Sequence, residues 1–576
     1  MKTFLITSCL TVVCIVGSNA PAESTLNLLP WPAQVEQLPG EYVVTTAKPK
    51  IVTKLQSGME GYTLEVSRSG IVITAADEGN AFYARQTLSQ LISSNRVPCV
   101  RIVDKSRFAW RGLMLDCSRT FQSLDYLHQT IDRLAAYKMN VLHLHLTDDQ
   151  GWRIEIKKHP ELTQKGARFS AKYNEPERHQ GFYTQQQLRE LVRYAAARHV
   201  TIVPEIEMPG HSHEVLVCRS DLSCAGKVAD DIFPFSKGPN ITRDVLCAGN
   251  DDTFRLLEDV LDEVIEMFPS QFIHIGGDEA PKDSWKECPK CQARIKAEGL
   301  KDEHELQSYF IRRIEKYLNS KGRRLIGWSE ILQGGLAPNA AVMDWIGGAG
   351  SATKAGHDVV MSPTSHCYFD YSYGAISSER AYSFEPVAGL SAEQAKHVLG
   401  LQANFWSHID REPELVDKQL FPRLLALAER GWSPVGVRDW PSFKARLDAQ
   451  LPRLRRMDVH YRPEPAGTWT PQQVTESYAP LLWNVTSALT EDGRYRVTLQ
   501  YTKGKCRIGI ESAELLAGGV VISADRHRGM TGASHEANTY IVELKQHEPG
   551  KKYELRVTGR GEGGTDSHGD VFIEKQ

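Results

Sequence analysis

Beyond its first twenty residues the sequence has no apolar run approaching the ~18 residues that a membrane-crossing helix requires. A membrane span is therefore not expected. Excess charge of one sign is also missing. The chain carries 68 Lys and Arg against 71 Asp and Glu, a formal net charge of −3. That balance gives no electrostatic reason to expect nucleic acid or an anionic membrane as partner. No segment repeats at the spacing of about 20–50 residues that marks solenoids and propellers, and no tract is of low complexity.

What is present begins with a leader. Lys2 gives a positive start, Phe4 and the residues to Val16 are mostly apolar, and Ser18-Asn19-Ala20 is a small-residue cleavage sequence. Residues 1–20 are therefore expected to direct export, leaving 67 basic and 71 acidic residues in the remainder. At 576 residues the chain is expected to hold two to four domains.

Nine cysteines lie beyond the leader: Cys99, Cys117, Cys218, Cys224, Cys247, Cys288, Cys291, Cys367 and Cys506. In an exported protein some should pair, and an odd number leaves at least one free. Cys288-Pro289-Lys290-Cys291 could form half of a zinc knuckle, but no second half with suitable spacing follows it. A local disulfide or free thiols is the expectation, with no metal. Asn240-Ile241-Thr242 and Asn484-Val485-Thr486 are glycosylation sequons, relevant in a eukaryotic host.

Residues 21–106 read as a small α+β domain. Alternating segments at 62–66 and 71–73 are strand-like, and 81–92 is helical. From Trp110 the pattern becomes strand, loop, helix, repeated. Apolar strands are expected at 111–116, 140–146, 200–207, 271–277, 323–328, 341–346, 358–361 and 398–405. Helices are expected at 302–321, opened by Asp302 and Glu305, at 188–197, entered through Thr184 and Gln187, and from Leu415 through Ala428. Eight near-continuous apolar strands alternating with helices predict an α/β fold, a (β/α)8 TIM barrel over residues 107–470. The longest insertions, 147–183, 208–250 and 280–301, each follow a strand, so they fall on the C-terminal face where such barrels hold their active sites. Residues 471–576 lose helical periodicity, and short alternating runs at 507–510 and 553–557 predict a β-sandwich.

The sharpest chemical signal is His274-Ile275-Gly276-Gly277-Asp278-Glu279. Two adjacent carboxylates at the end of a buried strand are costly unless they are used or paired. The glycines before them let the backbone bend and a ligand approach closely. The other strands bring Arg111 and Asp116, then Asp148 and Asp149, then Glu207 and His211, then Trp328, Trp345, Tyr368 with Asp370, and Trp406. Acids and tryptophans converging on one mouth suit a sugar, because carboxylates bind hydroxyls and aromatic faces cover the apolar faces of pyranoses. A rival reading takes His143 and His145, with His211, His274 and Asp148, as zinc ligands of a barrel metallohydrolase. Those enzymes place the histidine pair on the first strand and an acid on the last; here the pair is on the second and the last strand offers an aromatic. Buried, hydrogen-bonded histidines are the preferred reading.

The stretches 111–116, 143–149, 209–211 and 274–279, with Gly327-Trp328-Ser329-Glu330 and Trp406, closely resemble the β-N-acetylhexosaminidases of glycoside hydrolase family 20. The resemblance covers roughly residues 22–445; the C-terminal domain matches only loosely. It implies an exo-acting, retaining hydrolase of N-acetylhexosamine-terminated glycans or chito-oligosaccharides that needs no cofactor, and leaves a homodimer open. In that family the substrate assists its own cleavage. By resemblance Glu279 is the general acid, and Asp278 orients the 2-acetamido group whose oxygen attacks the anomeric carbon. Tyr368 hydrogen-bonds that oxygen, and His211, oriented by Asp148, supports the acid. Arg111 and Asp370 hold ring hydroxyls, and Trp328, Trp345 and Trp406 form the walls. Two positions depart from the family pattern. Glu207 stands where many relatives carry Asp, and His408 stands two residues after Trp406 where relatives place a Glu that grips outer hydroxyls. The choice between glucosamine and galactosamine is open at that position. A glycan-binding protein that has lost catalysis is the second rival, opposed by the intact Asp278-Glu279 pair.

Overall fold

The structure is a computed structural model that describes residues 26–44, 51–224, 228, 231–239, 241–489, 491–531, 538–548 and 550–576. The expected leader and Asn240 of the first sequon lie outside these residues.

The first domain is a five-stranded sheet carrying one helix, Glu78–Leu91. Asp77 opens the helix by accepting the amide of Asn80. Its Ala81, Ala84, Leu88 and Leu91 face Tyr62, Leu64, Ile71 and Ile73 of the sheet in one buried cluster.

Eight parallel strands then close into a barrel: Trp110–Asp116, Val141–His145, Thr201–Glu205, Phe272–His274, Arg324–Trp328, Ala341–Asp344, Val359–Met361 and Val398–Phe405. Each overlaps an expected strand, and the eighth pairs with the first to complete the ring. Every residue of the first, second and sixth strands is buried, which is why they read as unbroken apolar runs rather than as alternation. Trp110, Val141, Val203, Ile326, Met343 and Val360 form one apolar cluster within this sheet. His143, His145, Glu205, Gln402 and Asn404 are also buried on barrel strands.

The helical shell follows its capping signals. Gln185–Ala196 starts with a complete capping box between Thr184 and Gln187. Glu303–Ser320 starts at Asp302, which accepts the amides of His304 and Glu305. The Glu305 carboxylate turns back to the amide of Lys301 instead of the cap residue. The helix expected from Leu415 through Ala428 is two helices, Pro413–Leu420 and Arg423–Trp432. Pro422 has no amide hydrogen and divides them.

Two antiparallel sheets make up the C-terminal unit and enclose a single core that includes Trp469, Val497, Leu515, Tyr540, Val557 and Val571. Its strand Gly467–Trp469 already pairs with Ser567–Lys575, so the sandwich starts a few residues before the expected boundary at 470. Among the described residues no helix is long and apolar enough to cross a membrane. No disulfide joins any of the nine cysteines, which leaves the other expected alternative, unpaired sulfurs.

Candidate active site

The fourth barrel strand ends at His274, and the chain then turns through Gly276 and Gly277, both at positive φ (65° and 93°). A Cβ on Gly276 would sit 1.8 Å from the Glu207 carboxylate, so no other residue fits there. Glu207 itself accepts the amide of Gly277 at 3.0 Å and donates its own amide to Thr147 Oγ1 at 2.8 Å. In this chain the longer acid is therefore a brace beneath the turn that presents the carboxylate pair.

Asp278 is 8% exposed, and burial pushes its carboxyl up to about 7; the cationic His211 opposes the shift, while Glu330, Glu205 and Glu279 add to it. Asp278 Oδ1 is buried with no hydrogen-bond partner among the described residues. Glu279 follows at φ 42°, a strained backbone for a side chain of its size, with its carboxylate about one-third exposed.

His211 links this pair to the second strand. It too has positive φ (46°), at the turn after Pro209-Gly210. Its Nε2 lies 3.4 Å from Glu279 Oε2 and 3.8 Å from Asp278 Oδ2, and its Nδ1 lies 3.3 Å from Asp148 Oδ1 and 3.4 Å from Asp149 Oδ2. Burial works against its charge, but Asp148, Asp149 and Glu279 together raise its pKa well above that of a free imidazole. Asp148 also meets Arg119 Nη2 at 2.6 Å and His145 Nε2 at 2.8 Å. These cations overcome its burial and hold its carboxyl far below the usual range.

The residues expected at the mouth converge there with one exception. Arg111 is second in the first strand, at the end opposite the loops, and because it alternates with the inward-facing Trp110 its side chain faces out of the barrel. Its guanidinium donates to the carbonyls of Lys138 (2.7 Å) and Phe108 (2.5 Å) and to the Tyr83 hydroxyl (3.2 Å). It is buried between the barrel and the first domain and cannot hold a sugar. Arg119, three residues past Asp116, is the arginine of the site. It lies over the Trp406 ring (4.9 Å to its centroid), donates to Gln150 Oε1 (3.0 Å), and stands 3.7 Å from Asp116. The signal that identifies it is position: it follows the first strand's C-terminal end, where the chain emerges at the mouth.

The walls are aromatic. Trp345 and Tyr368 stack with centroids 5.9 Å apart, and Trp328 and Trp406 are 5.9 Å apart at 44°. Trp345 Nε1 donates to Glu330 at 2.9 Å. Tyr368 is 6.4 Å from Trp406, and burial followed by the charges of Asp278 and Asp370 pushes its hydroxyl pKa well up, keeping it a donor. Asp370 is buried, which lifts its carboxyl to about 7, and its Oδ1 has no partner among the described residues. His408 is half-buried against Phe235 of the 208–250 insertion (4.5 Å between rings), and burial and Arg119 depress its pKa.

Below the mouth, Glu205 gathers the histidines that a metallohydrolase would have used. His143 Nε2 and His145 Nδ1 lie 3.0 and 2.5 Å from its Oε2; His274 Nδ1 and Trp328 Nε1 lie 2.8 Å from its Oε1. Burial lowers the pKa of His143 to about 4, whereas Glu205 and Asp148 overcome burial at His145 and raise its pKa to about 10. A separate cavity of about 790 Å3 opens at the opposite end of the barrel beside Tyr83, Trp110 and Phe272; none of the residues expected at the site lines it.

Comparison with known proteins agrees with this geometry. Residues 108–435 match the glycosyl hydrolase family 20 catalytic domain, and residues 33–105 match domain 2 of the same family. A β-hexosaminidase of Porphyromonas gingivalis is 44% identical over 448 residues, covering 72% of this chain but only 56% of that protein. One from Akkermansia muciniphila is 31% identical, covering 79% of this chain and 97% of its own. Among solved structures, a β-N-acetylhexosaminidase of Streptomyces coelicolor superposes with a TM-score of 0.68 at 30% identity, over 77% of this chain and 99% of that one. An exo-β-N-acetylglucosaminidase of Vibrio harveyi gives 0.69 at 30% identity, over 76% and 78%. The chain belongs to glycosyl hydrolase family 20.

Proposed function

We propose that this chain is an exported, exo-acting β-N-acetylhexosaminidase that cleaves terminal N-acetylhexosamine residues with retention, using the substrate's own acetamido group as nucleophile. The observation that carries the reading is the placement of Asp278 and Glu279 on one imidazole. His211 Nε2 lies within 4 Å of both carboxylates, so the two acids share one side of the mouth. Such a pair suits an acid beside an orienting group better than a nucleophile and acid facing each other across a sugar.

In the first step the proton of Glu279 passes to the glycosidic oxygen as the bond from that oxygen to the anomeric carbon breaks. The acetamido carbonyl oxygen forms the new bond to that carbon, closing an oxazolinium ring. Asp278, as its carboxylate, accepts the acetamido N–H through the unpartnered Oδ1 and balances the positive charge. Tyr368 donates to the attacking oxygen and holds it in line. Water then attacks the anomeric carbon, its proton returns to Glu279, and the ring opens to the β-configured sugar. Asp370 and Arg119 bind ring hydroxyls, and Trp328, Trp345 and Trp406 enclose the ring.

The first test is NMR of the first-formed product: a β-anomer is expected, and an α-anomer would mean direct attack by water. Glu279→Gln should lower kcat by ~10²–10⁴-fold on substrates whose leaving group needs a proton, and by much less on dinitrophenyl glycosides. An equal loss on both substrate types would remove Glu279 as the acid. Export is checked by finding mature protein outside the cytoplasm with its N-terminus near residue 21.

A further inference from the structure

Two of the long insertions on the mouth meet away from the carboxylates, and each brings two cysteines to the meeting point, Cys218 of the first lying outside it. Cys224 and Cys247 lie in the stretch 208–250; Cys288 and Cys291 lie in 280–301. All four sulfurs lie within 4.8 Å of one another. Cys247 Sγ is 3.7 Å from Cys288 Sγ and 3.6 Å from Cys291 Sγ, and Cys224 Sγ is 3.7 Å from Cys291 Sγ.

These spacings are too long for any disulfide, whose sulfurs bond at about 2.05 Å. They match the edge of a sulfur tetrahedron around zinc, about 3.8 Å for a Zn–S distance of about 2.3 Å. The backbone is shaped for the same purpose. Cys288 precedes a helix, Pro289–Glu298, whose first turn carries Cys291. Gly249 lets the other turn approach, since a Cβ there would lie 2.2 Å from the carbonyl carbon of Lys290. Cys247, Cys288 and Cys291 are buried and Cys224 is half-buried. Four sulfur donors complete a tetrahedron and leave no position for water, the mark of a structural rather than a catalytic site.

We propose that Cys224, Cys247, Cys288 and Cys291 form a four-thiolate structural zinc site that clamps the third and fourth strand insertions together. Binding releases the thiol protons to solvent and forms four Zn–S bonds, with no change of oxidation state. The clamp holds loops that reach the chemistry. Leu246, beside Cys247, donates its amide to the Pro209 carbonyl at 2.9 Å, two residues before His211. Its own carbonyl accepts Trp285 Nε1 at 3.0 Å. Gly210 in turn packs on Ala280, the residue after Glu279, where a Cβ would come within 3.0 Å of its Cα.

The test is elemental analysis of the full chain purified without added metal or chelator. One zinc per chain is expected, released stoichiometrically when a mercurial reagent titrates the thiols. Replacing zinc with cobalt should produce thiolate-to-cobalt charge-transfer absorption. Cys291→Ser should lose the zinc and lower Tm, whereas Cys506→Ser, in the sandwich, should keep both. If Cys291→Ser does not fold, zinc release from the unaltered chain and the cobalt spectrum decide the matter. Metal-free protein with four free thiols, two disulfides by mass, or iron in place of zinc would each overturn the assignment.

Discussion

The two ends of the barrel are built from similar residues under opposite rules. At the base, Asp104 is buried and fully answered: Lys138 Nζ at 3.0 Å, the Tyr62 hydroxyl at 2.7 Å, Trp432 Nε1 at 2.9 Å and the Ala33 amide at 3.0 Å. Glu429 is answered likewise by Arg446 and the amide of Trp31. At the mouth, Asp278 Oδ1 and Asp370 Oδ1 are buried without a donor among the described residues. A buried carboxylate that lacks its hydrogen bonds is held at a cost the rest of the fold must offset. The base thus fastens two domains together, and the mouth keeps unmet hydrogen-bonding capacity for a ligand rich in hydroxyl and amide groups. Burial alone does not tell the two apart; partner satisfaction does.

Breaking the base should cost stability and spare chemistry. Lys138→Met leaves Asp104 buried without its cation, so unfolding free energy should fall by about 3–5 kcal/mol. Urea denaturation measures this, and kcat/KM of the folded enzyme should stay within twofold. If activity fell with stability intact, the base would be coupled to the reaction and the contrast would fail.

The two arginines sharpen the comparison. Arg119→Met should lower kcat/KM by ~10²-fold or more, because a charged contact to substrate and to Asp148 is lost. Arg111→Met should leave kcat/KM of folded protein unchanged while lowering Tm. Measuring both quantities for both variants decides it, and an inactive, stable Arg111 variant would return that residue to the site.

A smaller effect follows from the raised carboxyl of Asp278. Its pKa of about 7 in the fold lies well above the 3.8 of an ordinary aspartate. Below about pH 4 both states hold the proton and the group contributes nothing. Between about pH 4 and 7 the unfolded chain has lost the proton and the native one has not, so stability declines as pH rises, at most ~1.4 kcal/mol per pH unit. Above pH 7 the penalty stays constant. Asp278→Asn should therefore raise Tm at pH 8 by a few degrees, with the gain vanishing toward pH 4, while abolishing most turnover. Equal Tm shifts at pH 4 and 8 would refute this account.

Least in size is the rim. His408→Glu should change the ratio of glucosaminide to galactosaminide kcat/KM by about 1–3 kcal/mol, the value of one polar contact. A ratio unchanged within twofold would make His408 a wall against Phe235 and nothing more.

Much of this was readable in the sequence because parallel strands buried on both faces announce themselves as apolar runs, and their C-terminal ends locate the mouth. Asp278, Glu279, His211 and Asp148 were found that way. Arg111 was misplaced although the expected strand 111–116 already sets it at the N-terminal end, because membership of the strand was taken as nearness to the mouth. Seven residues of strand span about 20 Å, beyond the reach of any side chain from base to mouth. The clustering of four cysteines was hidden in the sequence for a related reason. The partners of Cys288 and Cys291 come earlier in the chain, from a different loop, and only the closed barrel brings the two loops side by side. The single helix expected from Leu415 through Ala428 failed at Pro422, a local signal outweighed in the reading by apolar periodicity on both sides.

Glu205 has a consequence for how the enzyme meets changing conditions. Its neighbours His145 and His143 take opposite and settled states, one charged up to a pKa of about 10 and the other neutral down to about 4. Across the range from about pH 5 to 9 neither imidazole changes charge, although histidine is ordinarily the side chain that does. These two side chains thus hold a fixed pattern of charge that does not drift with the medium. A titration seen in the rate should therefore come from neither of them, and Asp278 and Asp370, both raised to about 7, are the groups it is expected to report.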